Sequence, residues 1–109
     1  MKREDTVYLR DILESIEIID QHLNGMTEFE FSKNLLVQDA VIRRFEIIGE
    51  AAYKISAEFK SKHPELEWQL MKDMRNKLAH EYFGISMSTL YSTIKSDLPI
   101  LSGSIHKIL

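Results

Sequence analysis

The sequence contains no cysteine, only two prolines and only four glycines among its 109 residues. The lack of cysteine excludes a disulfide framework and a thiolate metal site, and the scarcity of proline and glycine favours long helices over a sheet. No apolar run approaches the roughly 20 residues of a membrane span, and the charged start MKREDTVYLRD is unlike a signal peptide. We therefore expect a cytoplasmic protein that does not bind a membrane.

An excess of positive charge is also missing, since the net charge is -3. Proteins that hold nucleic acid mainly by phosphate neutralisation are usually basic. RNA binding would therefore need a small local site. The length and the 44% hydrophobic content are typical of one soluble domain, here 1–109.

Apolar residues recur with a helical period in four segments, at about 4–23, 32–59, 67–82 and 87–109. This pattern predicts an all-α fold, an up-down four-helix bundle. Pro99 lies opposite the apolar stripe of the fourth helix, which predicts a kink on the solvent side. Ser32 and Ser86 are candidate N-caps, while Asn24-Gly25 and Gly84 are candidate helix stops.

The predicted second helix is apolar over an arc of about 180°, against the roughly 100° that one buried stripe needs. We therefore expect a second copy of the chain to cover part of it. Arg44 falls inside this arc, where it is either a snorkelling side chain or half of a buried ion pair. Arg43 and Arg44 could also add charge to a cleft.

The stretch MRNKLAHEYFG, residues 74–84, concentrates polar groups on the third helix. Arg75 projects into the apolar arc, whereas Asn76 and His80 share another face. Arg75 and His80 therefore meet only if the helix loosens near His80 or if two copies of the helix face each other.

The chemistry available to such a cleft is narrow. The four histidines lack metal-ligand spacing, and neither a nucleophilic triad nor a glycine-rich phosphate loop is present. A histidine that titrates near neutral pH and an arginine that grips phosphate suffice for metal-free RNA cleavage. The alternative is that both are structural, as a helix C-terminal histidine and a paired arginine usually are.

Arg75, His80 and Tyr82 together resemble the R-x4-H-x-Y signature of the HEPN superfamily. The segments RRFEIIGEAAYKIS, MRNKLAHEYFGIS and STIKSDLPIL, with Trp68 seven residues before Arg75, resemble its HepT-like branch. The similarity extends over nearly the whole chain in a consistent order.

The resemblance implies a toxin of a type VII-like toxin–antitoxin pair. Such toxins are metal-independent endoribonucleases without a cofactor, built as helical homodimers whose signature residues line one cleft. By this resemblance Arg75 is the phosphate clamp, His80 the acid/base and Asn76 an orienting residue. Tyr82 is the residue to which a minimal nucleotidyltransferase antitoxin transfers AMP. The RNA substrate would be a transfer RNA or a messenger RNA.

Two other hypotheses use the same fold, and fold does not determine function. The chain could be a non-catalytic helical partner of a nucleotidyltransferase, either binding its substrate or acting as a scaffold. It could also be a structural dimeric bundle. An intact Arg75 and His80 favour the nuclease, because a scaffold need not keep both.

Overall fold

The computed structural model describes residues 4–80 and 86–109, and of 75–80 it describes the backbone only. Within these ranges every regular element is an α-helix, which confirms the all-α prediction. None of the described helices is long and apolar enough to cross a membrane. The helices are α1 (Asp5–Leu23), α2 (Glu28–Lys33), α3 (Leu35–Lys54), α4 (Ala57–Lys62), α5 (Trp68–His80) and α6 (Met87–Ile108).

The ends of α1 and α6 follow the predicted signals. Helix α1 stops at Leu23, and Gly25 adopts the left-handed backbone conformation (φ 72°) that glycine accommodates without strain. The hydroxyl of Ser86 accepts hydrogen bonds from the N–H groups of Ser88 and Thr89 at 3.1 and 3.4 Å, as an N-cap does.

The prediction of one helix over 32–59 is wrong, because the chain forms α2, α3 and α4 there. Ser32 is not an N-cap; it lies inside α2 and its hydroxyl donates to the carbonyl of Phe29 at 2.6 Å. The cap of α3 is Asn34, whose side-chain oxygen accepts from the N–H of Val37 at 3.0 Å. The asparagine side chain thus takes the place of a backbone carbonyl as hydrogen-bond acceptor, which favours a new helix start over a continuous helix.

The second break in this segment lies at Ser56 and depends on a distant residue. The Ser56 hydroxyl accepts from the N–H of Phe59 at 3.1 Å and so caps α4. The Asp5 carboxylate accepts from the N–H and the hydroxyl of Ser56, at 2.9 and 2.7 Å. These bonds draw the Ser56 N–H away from the helical carbonyl, and Ile55 is extended (φ -68°, ψ 138°). The start of α1 thereby ends α3.

The core is one cluster of apolar side chains contributed by α1, α2, α3, α5, α6 and the segments that join them. The predicted apolar stripes of α1 and α6 are buried, and Pro99 is exposed within a helix that continues past it. The kink at Pro99 and the up-down order of the helices stay predictions. Among the fully buried side chains are Leu9, Ile12, Ile19, Phe31, Val41, Ile48, Met71, Leu98 and Ile105.

Helix α5 packs on α3. The indole N–H of Trp68 donates to the carbonyl of His63 at 2.9 Å, which ties the start of α5 to the end of α4. Helix α4 is only about 9 Å long and follows closely on the end of α3.

Candidate active site

The predicted site residues fall on the second half of α5 and just beyond it. Arg75, Asn76 and His80 belong to α5, which holds their backbone in a helix. Their side chains lie outside the described residues. Tyr82 and the predicted stop at Gly84 also lie outside the described residues.

The helical backbone of α5 determines how Arg75 and His80 are related. The chain is α-helical from Trp68 through His80, so positions five residues apart differ by about 140° around the axis and about 7.5 Å along it. The helix does not loosen before His80. In one copy of α5, these two positions therefore lie on different faces of the helical backbone.

Side-chain bonds hold the start of α6 against α2. The hydroxyl of Tyr91 donates to the carbonyl of Met26 at 3.0 Å, and the Ser88 hydroxyl donates to Glu28 at 3.1 Å. Helix α2 also packs against α3, and its Phe31 is fully buried beside the Tyr91 ring, 5.9 Å between centroids. This end of the molecule thus joins α2, α3 and the start of α6.

Helix α2 presents a carboxylate with a perturbed pKa at this end. The Glu30 carboxylate accepts from the N–H of Thr27 at 3.0 Å, and the N–H of Glu30 donates to the Thr27 hydroxyl at 3.1 Å. The hydrogen bond from the Thr27 N–H, then that from its side chain, lowers the pKa of Glu30. The spacing Thr27-x-x-Glu30 in the sequence is a capping-box motif. The prediction of Ser32 as the cap overlooked this motif.

Two adjacent arginines on α3 have different environments. Arg43 is exposed and its guanidinium contacts the Glu46 carboxylate at 3.3 Å. Arg44 is half-buried, and it has no ion pair with any residue that the structure describes. A buried ion pair, one of the two interpretations of Arg44, is therefore absent from the described part of the chain.

His63 already has structural partners. Its ring lies 4.5 Å from that of Phe59, and its Nδ1 is 3.0 Å from a Glu65 oxygen. The backbone N–H of Glu65 and then His63 lower the pKa of the Glu65 carboxyl. Among the described residues, no group of three histidine, aspartate or glutamate side chains is arranged to hold a metal ion.

Comparison with known proteins identifies the family. The model of the family described as "Ribonuclease HepT-like" matches residues 12–108. The chain is 44% identical to a protein of Thermococcus cleftensis named "Probable ribonuclease HepT", over 99% of this chain and 98% of that protein.

Two other relatives come from different prokaryotes. A "Putative RNase" of Caldanaerobacter subterraneus is 35% identical over 94% of this chain and 91% of its own length. A "Gamma-glutamylcyclotransferase and putative RNase" of Methanocaldococcus jannaschii is 39% identical over the whole chain, which spans 49% of that protein. No solved structure matches the chain. The family match and the near-complete coverage of the Thermococcus cleftensis relative lead to one conclusion: this chain belongs to the HepT-like ribonuclease family.

Proposed function

We propose that this protein is a metal-independent endoribonuclease that acts as the toxin of a type VII-like toxin–antitoxin pair in the cytoplasm. The observation that carries the proposal is membership of the HepT-like ribonuclease family together with an intact Arg75, His80 and Tyr82 signature in this chain. The names of the relatives, which describe ribonucleases, support the same activity.

The proposed reaction uses the 2'-hydroxyl of RNA as the nucleophile. His80 removes the proton from that hydroxyl and, as the imidazolium so formed, returns it to the leaving 5'-oxygen. The 2'-oxygen attacks the adjacent phosphorus, and the bond from phosphorus to the 5'-oxygen breaks. Arg75 stabilises the negative charge on the phosphate oxygens, and Asn76 orients the site. The products are a 2',3'-cyclic phosphate and a 5'-hydroxyl, and DNA is not cut because it lacks the nucleophile.

A homodimer would unite the two groups that one α5 helix separates. Arg75 of one copy and His80 of the other would then line one cleft. Large apolar side chains support a covering copy: Phe29 is 71% exposed, and Leu35 and Leu36 on the first turn of α3 are 69% and 82% exposed. These three residues form the α2–α3 apolar patch, and burying them against a second copy removes them from water.

Regulation would act through Tyr82. A minimal nucleotidyltransferase antitoxin would transfer AMP from ATP to its hydroxyl and release pyrophosphate. The added phosphate places bulky negative charge near Arg75, and that charge repels an RNA backbone. Incubation with the antitoxin and ATP should add one AMP to the wild type and none to Tyr82→Phe, as measured by mass spectrometry.

Expression in a bacterial host tests the toxin activity. Wild type and His80→Ala are each expressed alone, and growth and total RNA are followed. Growth arrest with RNA fragments from the wild type only is the expected result. Equal, harmless behaviour of both proteins would instead favour a non-catalytic partner of a nucleotidyltransferase.

Purified protein tests the mechanism. Wild type should cleave transfer RNA or messenger RNA in the presence of excess EDTA and leave 2',3'-cyclic phosphate ends. An oligonucleotide with a single 2'-deoxy substitution at the cleaved position should resist. Loss of cleavage in EDTA, with recovery on adding Mg²⁺, would contradict metal independence.

A further inference from the structure

Arg44 is a half-buried cation that pairs with no anion among the residues that the structure describes. On α3, positions three and four residues away from Arg44 hold Ala40, Val41, Ile47 and Ile48, all apolar. Removing a guanidinium from water without a paired anion is costly. A bound anion would offset that cost.

The neighbouring Arg43 shows what a structural arginine looks like on the same helix. Its side chain is 62% exposed and pairs with Glu46, and Asp39 lies one turn before it. Arg44 instead lies on the inner stripe of α3, three residues after Val41 and four before Ile48, which are both fully buried. The two arginines therefore form a matched pair for experiment.

Arg44 lies on α3, and α5, the helix that carries His80, packs on α3. From Trp68 to His80, α5 extends about 18 Å. The structure thus places Arg44 on a helix that packs against the one carrying His80.

The described acids of α5 and its N-terminal junction do not neutralise Arg44. The amide of Gln69 donates to Asp73 at 2.9 Å. The hydroxyl of Ser104 donates to Glu67, which precedes α5, at 3.3 Å. Both carboxylates are thus held by neutral donors, and no described carboxylate contacts the Arg44 guanidinium.

We propose that Arg44 is a phosphate-binding residue that holds an RNA phosphate flanking the one that is cleaved. This inference rests on the proposed ribonuclease function and adds a substrate contact from a different helix. A guanidinium donates two parallel hydrogen bonds to a phosphate. With a net charge of -3, the protein has no general attraction for RNA, so a single well-placed cation contributes a large share of its affinity.

RNA binding in a catalytically inactive background tests the contact. Arg44→Gln and Arg43→Gln are each made in His80→Ala, and fluorescence anisotropy measures the affinity for a cleavable RNA at several salt concentrations. Arg44→Gln should weaken binding about tenfold or more, which is the effect of losing a charge-assisted hydrogen bond. It should also reduce the salt slope, the steepness with which the logarithm of the binding constant falls with the logarithm of the salt concentration, by about 0.7–0.9. Arg43→Gln should change the affinity less than about twofold, as expected for an exposed surface pair.

Cleavage by otherwise wild-type protein supplies a second readout. Arg44→Gln should raise KM and leave kcat largely unchanged, whereas loss of His80 should abolish kcat. Arg44→Lys keeps the charge, so it should retain the salt slope and recover part of the affinity. If Arg44→Gln does not fold, Arg44→Lys tests the proposal in its place. Its KM should be higher than that of the wild type, because lysine cannot form the two-pronged contact with a phosphate.

The outcomes separate this proposal from the proposed function. If wild type cleaves RNA and Arg44→Gln matches Arg43→Gln in affinity, salt slope and KM, Arg44 does not bind the substrate. The same conclusion follows if Arg44→Gln lowers only the melting temperature or the dimer fraction. If wild type neither binds nor cleaves RNA, both proposals fail together.

Discussion

Individual polar side chains determine where helices in this protein begin. Thr27, Asn34, Ser56 and Ser86 each accept a hydrogen bond from an N–H in the following turn. Such caps satisfy donors that a helix leaves unpaired, and each contributes about 1 kcal/mol. Two of these caps, Asn34 and Ser56, lie in the segment that the apolar period alone marks as a single helix.

Ser15 is the one fully buried polar residue in the described core, and its hydroxyl has no hydrogen-bond partner there. Ser15→Ala should therefore raise the free energy of unfolding by about 1 kcal/mol, because an unsatisfied buried hydroxyl is removed. Chemical denaturation measures the change. Ser96→Ala, an exposed site on α6, corrects for the higher helix propensity of alanine. A loss of stability at Ser15 would indicate a hidden partner.

The bond between Asp5 and Ser56 joins residues 51 positions apart. Asp5→Ala should lower the free energy of unfolding by about 1–2 kcal/mol, since two charge-assisted hydrogen bonds are lost at a partly exposed site. A double-mutant cycle with Ser56→Ala should show that the two effects are not additive. Glu4→Ala is the control, because Glu4 forms no side-chain cap bond. Additive effects would contradict the coupling.

At the scale of an element, α2 depends on local bonds more than the long helices do. It has six residues, and only Phe31 among them is buried. Isolated helices this short are not stable in water. The capping box between Thr27 and Glu30 and the anchoring of Phe31 beside Tyr91 therefore hold α2 together.

The lowered pKa of Glu30 makes the stability of α2 depend on pH. A depressed carboxyl pKa contributes stability that is present above the unfolded value of 4.5 and is lost as the pH falls through the folded value. Wild type should therefore exceed Glu30→Gln in melting temperature at neutral pH, and the difference should shrink as the pH falls below 4.5. Glu17→Gln, an exposed substitution on α1, is the control. A difference that is constant with pH would count against the capping carboxylate.

At the scale of the whole molecule, the α2–α3 apolar patch is the surface on which we propose that a second copy packs. Leu36 is the most exposed of the large apolar side chains in the described residues. Exposed apolar patches of this kind commonly mark interaction sites.

Leu36→Lys should weaken the proposed dimer by about 10-fold to 100-fold, the equivalent of about 1.5–3 kcal/mol for one buried leucine. Sedimentation velocity over a range of protein concentrations measures the shift. Ile100→Lys, at a 61% exposed site on α6, should leave the dimer unchanged. A wild type that stays monomeric at micromolar concentration would remove the basis for a shared cleft.

Sequence reasoning predicted α1 and α6 well and the middle of the chain poorly. The stripes of α1 and α6 are regular, and their ends carry local signals at Gly25 and Ser86. The breaks at Asn34 and Ser56 interrupt an apolar pattern that continues across them, so hydrophobic periodicity does not reveal them. For the candidate site, the sequence pointed to Arg75 and His80, but it left the environment of Arg44 open.

The sequence by itself determined the helical class, the family and the identity of the signature residues, because apolar period and motif spacing are local properties of the chain. Only the tertiary structure decided that α3 ends where Asp5 contacts Ser56, and that Arg44 has no ion pair with a described acid. Both depend on residues far apart in the sequence. The packing of helices brings such residues together, and no short stretch of sequence encodes it.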